Sequence, residues 1–69
     1  GAVRIMCLST VYKQTKEPGS IVMSNVQRIE DRGGTILLTD IMERQTAVEG
    51  RIAVADLVEG YVVIEPMAS

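Results

Sequence analysis

The chain alternates short runs rich in β-branched residues with glycines and prolines that interrupt them. Valine, isoleucine and threonine account for 21 of the 69 residues, with 9, 7 and 5 copies respectively. β-Branched residues favour pleated strands, and glycine and proline mark turns. The pattern predicts an all-β fold of five to seven short antiparallel strands. Closure into a small barrel, of the oligonucleotide-binding (OB-like) or SH3-like kind, would hide the edges that an open sheet exposes.

Turn-forming residues separate six predicted strands. Pro18-Gly19 supplies the fixed φ and the permissive φ of a type II turn, and Gly33-Gly34 favours a hairpin turn. Ser24-Asn25 interrupts the second strand, which predicts a bulge or a division into two shorter strands. The predicted strands span residues 6–14, 21–30, 35–41, 44–49, 52–58 and 61–65, with the fourth at an edge of the sheet.

The segment 52–58 is open to two interpretations. As a strand, it would place Ile52, Val54 and Val58 on one face. A helix over 51–59 is the alternative, because alanine and leucine favour helices. The strand is preferred, since Gly50 and Gly60 enclose too few residues for a typical helix.

The length allows one small domain. Residues 6–66 are predicted to form it, with 1–5 as a cloning remnant or N-terminal extension and 67–69 as a tail. A domain of this size buries only about 60% of its unfolded surface and commonly needs disulfides, metal or oligomerisation. One cysteine and no histidine make oligomerisation the expected remedy.

The composition argues against an enzyme. Histidine is absent, which excludes the usual hydrolytic triads and zinc fingers. No Gly-rich phosphate loop is present either, because no lysine follows Gly33-Gly34. The carboxylates of the turns and strand ends are expected to be solvated surface charge. They are Asp31, Asp40, Glu43, Glu49, Asp56, Glu59 and Glu65.

Membrane and nucleic-acid partners are both disfavoured. The apolar stretches are far shorter than the roughly 18 residues of a membrane helix, and the N-terminus lacks a secretion signal, so a cytoplasmic location is expected. Seven basic residues stand against nine acidic ones, for a net charge of −2. Tyr12 and Tyr61 are the only aromatic residues that could stack on bases. RNA binding therefore remains only as an alternative.

Cys7 is the remaining candidate for chemistry. Free cysteines are most often small buried hydrophobes, and that is one interpretation. The other is a metal ligand. One thiolate cannot complete a site for a soft metal, but a two-fold dimer that brings two copies of the first strand together would offer two sulfurs.

The segment Met6-Cys7-Leu8-Ser9-Thr10-Val11-Tyr12 resembles the start of the CooT family, small nickel-binding proteins associated with maturation of carbon monoxide dehydrogenase. The likeness covers residues 6–65. It continues through Ile21-Val22-Met23, Val26, the Gly33-Gly34 hairpin, Ile36 to Thr39, Gly50 and Asp56 to Ile64.

The resemblance implies a non-enzymatic homodimer that binds one Ni(II) at its two-fold axis. Its ligands would be the Cys7 thiolate and main-chain nitrogen of Met6 and Cys7, and a recipient nickel enzyme would be a transient partner. Thiolate sulfur and deprotonated amide nitrogen are strong donors that suit square-planar Ni(II). Five residues precede Met6, however, so its nitrogen is an amide rather than a free amine. Metal binding by this chain is expected to be weakened accordingly.

Another maturation family offers an alternative function. Hydrogenase-maturation chaperones of the HypC kind are also small barrels that begin Met-Cys, but the sequence after Val11 resembles them less well. A small-barrel RNA-binding protein is the third candidate.

Overall fold

A computed structural model describes residues 8–67 of the chain. Six strands form one sheet, which confirms the all-β prediction. The strands are β1 (Ser9–Lys13), β2 (Ile21–Asp31), β3 (Thr35–Asp40), β4 (Gln45–Glu49), β5 (Arg51–Asp56) and β6 (Tyr61–Glu65). Among the described residues, no helix is long and apolar enough to cross a bilayer.

The sheet is strongly curled but is not a closed barrel. Its strand order is β4-β3-β2-β1-β6-β5, so β4 and β5 are its two edges. Gly50 joins these edge strands, and its N–H donates to the Gly34 carbonyl at 2.9 Å. The expected closure is therefore replaced by an open sheet whose ends approach each other at the Gly50 junction.

One strand pair departs from the predicted antiparallel arrangement. β1 runs parallel to β6, with Val11 opposite Val62, while the other neighbouring strands are antiparallel. These two strands come from opposite ends of the described chain, so no short hairpin dictates their relative direction. Alternation within each strand cannot reveal such a long-range pairing.

The core lies on the concave side of the curled sheet and draws on five of the six strands. Ile36, Leu38, Val11 and Ile64 are its largest fully buried side chains. The remaining buried members are Val26, Val48 and Val62, with Val22, Met23 and Ile29 packed against them. Burying each such aliphatic side chain contributes about 1.5–3 kcal/mol. The core therefore fixes which face of each strand points inward.

Bulges modify two strands. The predicted interruption of β2 is confirmed as a bulge, because Asn25 adopts φ 55° and the β1–β2 register shifts there. In β5, Ile52 lies opposite Ile64 whereas Val54 lies opposite Val63. Adjacent residues of β6 point to opposite faces, so Ile52 and Val54 do so too. The prediction that Ile52 and Val54 share a face is wrong, because Ala53 is an extra, bulged residue of β5 that shifts the register with β6.

Two turn predictions had different outcomes. The Gly33-Gly34 hairpin is confirmed, with φ values of 64° and 105° and an Arg32 N–H bond to the Thr35 carbonyl at 2.8 Å. The type II turn at Pro18-Gly19 is wrong. Pro18–Ser20 forms a 3-10 turn instead, in which the Ser20 N–H donates to the Glu17 carbonyl at 2.9 Å. Proline suits the first position of such a turn because its φ is already fixed there.

The segment between the last two glycines is a strand and a turn. β5 occupies Arg51–Asp56, so the helical alternative over 51–59 is wrong. Pairing with β6 satisfies the backbone of this segment, and that tertiary contact outweighs the helical preference of alanine and leucine.

Candidate functional site

The predicted metal ligands, Met6 and Cys7, lie outside the described residues. The described residues begin at Leu8, directly after Cys7, and β1 begins at Ser9. This strand is in the interior of the sheet, between β2 and β6. Ser9 lies opposite Val26 on one side, and Thr10 lies opposite Tyr61 on the other. The candidate ligands therefore precede a strand that is held on both sides.

Gly60 packs against the backbone at the start of β1. Its φ is +79°, and a β-carbon there would lie 3.2 Å from the Leu8 carbonyl oxygen. The Gly60 carbonyl accepts a hydrogen bond from the Thr10 N–H at 3.0 Å. A glycine meets both requirements, since it tolerates the left-handed conformation and allows close approach. The turn before β6 thus positions the residue that follows Cys7.

Asp56 organises that turn. Its Oδ1 accepts hydrogen bonds from the N–H groups of Val58 at 3.0 Å and Glu59 at 2.9 Å. The turn presents Leu57 and Val58 to solvent, 80% and 97% exposed. Sequence reasoning assigned Asp56 only to surface charge and missed this function. An aspartate at the start of a turn was the available signal, because its side chain readily bonds to backbone N–H groups two or three residues on.

Asp40 corrects the expectation that the turn and strand-end carboxylates are solvated. It is 2% exposed at the end of β3. Its Oδ1 accepts hydrogen bonds from the N–H groups of Met42 and Arg44, both at 2.9 Å, and its Oδ2 binds the Arg44 guanidinium at 2.8 Å. Burial raises the pKa of Asp40, but these hydrogen bonds and the Arg44 charge outweigh it and hold the pKa below its ordinary value. Asp40 therefore stabilises the turn between β3 and β4.

Arginine charges are compensated locally. Glu30 binds both Arg28 at 2.8 Å and Arg32 at 2.7 Å. The hydrogen bond from Arg32 is the main cause that lowers the pKa of Glu30, with the Arg28 charge adding to it against a smaller effect of burial. Arg44 pairs with Asp40, and Arg51 with Glu65 at 3.4 Å. Such pairing removes cations that a nucleic-acid backbone would require.

The two tyrosines contact each other. Their ring centroids are 6.3 Å apart, with an interplanar angle of 78°. The Lys16 ammonium lies 4.1 Å from the centroid of the Tyr61 ring. An edge-to-face pair with a cation on one ring is a self-contained cluster, whereas base stacking needs an open ring face. The arrangement does not favour the RNA-binding alternative.

Among residues 8–67, no three His, Cys, Asp or Glu side chains are grouped closely enough to hold a metal ion. Two open surface depressions, of about 420 and 490 Å³, lie beside the Gly33-Gly34 turn and beside Asp40. Asp40 and Arg44 bind each other at the second one.

Comparison with known proteins gives one family and one fold. A family model described as "CO dehydrogenase accessory protein CooT" matches residues 6–65. A crystal structure of a protein assigned as CooT from Carboxydothermus hydrogenoformans superposes with a TM-score of 0.77 at 14% identity, covering 90% of this chain and 100% of the other. At that identity the likeness establishes the fold alone. The comparison with curated proteins finds no significant match.

Proposed function

This chain belongs to the CooT family of CO dehydrogenase accessory proteins, and we propose that it binds nickel for delivery to a nickel enzyme such as CO dehydrogenase. Its role is that of an accessory protein rather than an enzyme. The observation that carries the proposal is the extent of the family match, which begins at Met6 and so includes the Met6-Cys7 pair.

The proposed ligands are the thiolate of Cys7 and the main-chain nitrogen of Met6 and Cys7. Thiolate and deprotonated amide donors suit Ni(II) in square-planar geometry. Since each chain has only one cysteine, a homodimer supplies the second sulfur. Leu8, the residue after Cys7, would help to fix the position of these ligands. Its carbonyl packs on Gly60, and the strand that follows it, β1, is held between two neighbouring strands.

The nickel enzyme is a transient partner in this proposal, and the location is cytoplasmic. A carrier must release its metal, so a site built from Cys7 thiolate and main-chain nitrogen is suitable if the recipient enzyme can compete for the same donors. Exposed apolar side chains on the adjoining turn, Leu57 and Val58, offer contact area beside the start of β1.

A Ni(II) titration of three chains tests the proposal. They are a chain beginning at Met6, the present chain and a Cys7→Ala variant of the shortened chain. We expect a charge-transfer absorption band from the shortened chain that saturates at one nickel per two chains. Tighter binding is expected there because Met6 then offers a free amine, and Cys7→Ala should abolish the band.

Two outcomes would contradict the proposal. Absence of nickel binding above background in all three chains would refute it, and so would equal binding by Cys7→Ala. In either case, capture of a hydrogenase or salt-dependent retention of RNA would become the next measurement, since these distinguish the HypC-like and RNA-binding alternatives.

A further inference from the structure

The depression beside Asp40 is lined mainly by polar residues. One wall is the bulge of β2, and the other is the start of β4 with the residue before it. The volume of the depression is about 490 Å³. Its polar lining residues are Ser24, Asn25, Asp40, Arg44, Gln45 and Thr46, and it is called the Arg44 depression below.

Backbone hydrogen bonds hold the walls of the Arg44 depression in place. The Asn25 carbonyl accepts the Ile41 N–H at 3.0 Å, which ties the β2 bulge to the turn between β3 and β4. The Arg44 carbonyl accepts the Asp40 N–H at 3.0 Å, which closes that turn on the other side. Ligand sites are usually formed before the ligand arrives, and these bonds give the depression such a preformed shape.

Asp40 fixes the Arg44 side chain but uses only one of its nitrogens. Asp40 Oδ2 binds Arg44 Nε at 2.8 Å, and Asp40 Oδ1 is occupied by two backbone N–H groups. Within residues 8–67, Nε is the only side-chain nitrogen of Arg44 that makes a hydrogen bond, and the side chain is 74% exposed. A guanidinium is a rigid planar fork, so anchoring Nε also orients the two Nη nitrogens.

We propose that the Arg44 depression binds a carboxylate group. The two Nη nitrogens of Arg44 donate to its oxygens, and Ser24 and Thr46 supply hydroxyl donors from the two walls. A carboxylate presents two oxygens in one plane, which is the arrangement that a guanidinium fork matches. The inference involves neither nickel nor Cys7 and is independent of the proposed function.

The charge of the Arg44 depression favours a single carboxylate over other ions. Asp40 neutralises Arg44, so phosphate or a polyanion finds no excess positive charge there. A metal cation would meet a guanidinium and a carboxylate whose oxygens already accept hydrogen bonds. A carboxylate instead requires directed donors, which the guanidinium and the hydroxyls provide. Small dicarboxylates and acidic peptide side chains both carry this group, and the experiment below separates them.

Amide NMR of the nitrogen-15-labelled chain, titrated with succinate at constant ionic strength, tests the inference. We expect a dissociation constant of about 1 mM, with shift changes confined to the lining residues of the Arg44 depression and their neighbours. Arg44→Lys should raise the constant about tenfold, because lysine keeps a charge beside Asp40 but loses the fork. Arg51→Lys is the matched control, since Arg51 pairs with Glu65 outside the depression, and it should leave the constant within about twofold.

Thr46→Val probes the second wall without altering the contact between Asp40 and Arg44. It removes a hydroxyl at nearly constant shape and should weaken succinate binding about threefold or more. This variant decides the matter if Arg44→Lys fails to fold, and unchanged binding by it would then overturn the inference. A blocked tripeptide centred on aspartate, compared with its asparagine counterpart, identifies the source of the carboxylate.

Tighter binding of the aspartate peptide than of succinate would support the inference and identify an acidic segment as the ligand. Weaker binding of the peptide would support it with a small free carboxylate as the ligand. Three results would overturn it: no binding of either probe up to about 10 mM, equal succinate binding by the folded Arg44→Lys variant, or equal binding of inorganic phosphate. The last result would mean that the surface attracts anions of any kind.

Discussion

Asp40 shows how a buried carboxylate can support a turn without taking part in chemistry. It joins β3 to β4 by accepting two backbone N–H bonds and one guanidinium bond. The structure describes no buried side-chain nitrogen or oxygen without a partner within residues 8–67. The Asp40 carboxylate can be buried because its oxygens have hydrogen-bond partners.

Protonation of Asp40 should destabilise the fold. Its pKa is lowered in the folded state, so its contribution is present above the ordinary value of 3.8 and is lost as the pH falls through the folded pKa. Asp40→Asn should lower the unfolding midpoint at pH 7, because the amide keeps one acceptor but loses the charge. The midpoint difference from the unsubstituted chain should shrink as the pH falls below about 4.

Thermal unfolding between pH 3 and 7 measures this difference. Glu30 also has a lowered pKa, but its contribution is common to both chains and cancels. Glu17→Gln, at an exposed site, serves as a control and should match the unsubstituted chain throughout. A difference for Asp40→Asn that stays constant with pH would show that charge is not the cause.

The Gly50 junction between the two edge strands is the most constrained connection of the fold. Gly50 adopts φ +147°, and a β-carbon there would collide with the Glu65 carbonyl oxygen and press on the Ile64 side chain. Its N–H is bonded to Gly34 at the start of β3. The junction therefore holds the curled sheet at the place where its ends approach.

Gly50→Ala should cost about 2 kcal/mol or more of folding free energy, from backbone strain and the collision combined. Gly19→Ala is the matched control, since Gly19 has no atom within 4 Å of a β-carbon position, and it should change the free energy by less than about 0.5 kcal/mol. Urea unfolding at one protein concentration measures the free energies of unfolding of both variants. Equal midpoints would mean that the junction can relax at little cost.

One small core stabilises the whole molecule. For 69 residues, a free energy of unfolding of about 3–10 kcal/mol is expected from the usual range per residue. The core cluster includes seven buried residues that span the sheet from β4 to β6. The free energy lost when one core side chain is truncated is therefore a large fraction of the total free energy of unfolding.

Leu38→Ala should cost about 2–5 kcal/mol, because Leu38 is fully buried and the substitution leaves a cavity. Met42→Ala, at a side chain 69% exposed, should cost less than about 0.5 kcal/mol. Chemical unfolding followed by circular dichroism compares the two variants at equal protein concentration, since the proposed dimer would make their apparent stability depend on that concentration. Similar losses for the two variants would place the main stabilising contacts outside this core.

Local pattern was sufficient to predict the strands. Alternation of β-branched residues predicted all six strands, and paired glycines predicted the Gly33-Gly34 hairpin, because both signals lie within a few residues of the structure that they determine. The Met6-Cys7 assignment came from resemblance and lies outside the described residues. The burial of Asp40 was missed because it depends on packing around β3 that no local pattern reveals.

By itself, the sequence determined the all-β class and the position of most turns, both of which follow from residue type and short spacing. Only the tertiary structure decided the parallel β1–β6 pair, the open curled sheet and the faces on which Ile52 and Val54 lie. Each of these depends on register between strands that are distant in sequence. The bulge at Ala53 makes the reason concrete: one extra residue moves Val54 from the face of Ile52 to that of Val63, and only pairing with β6 reveals it.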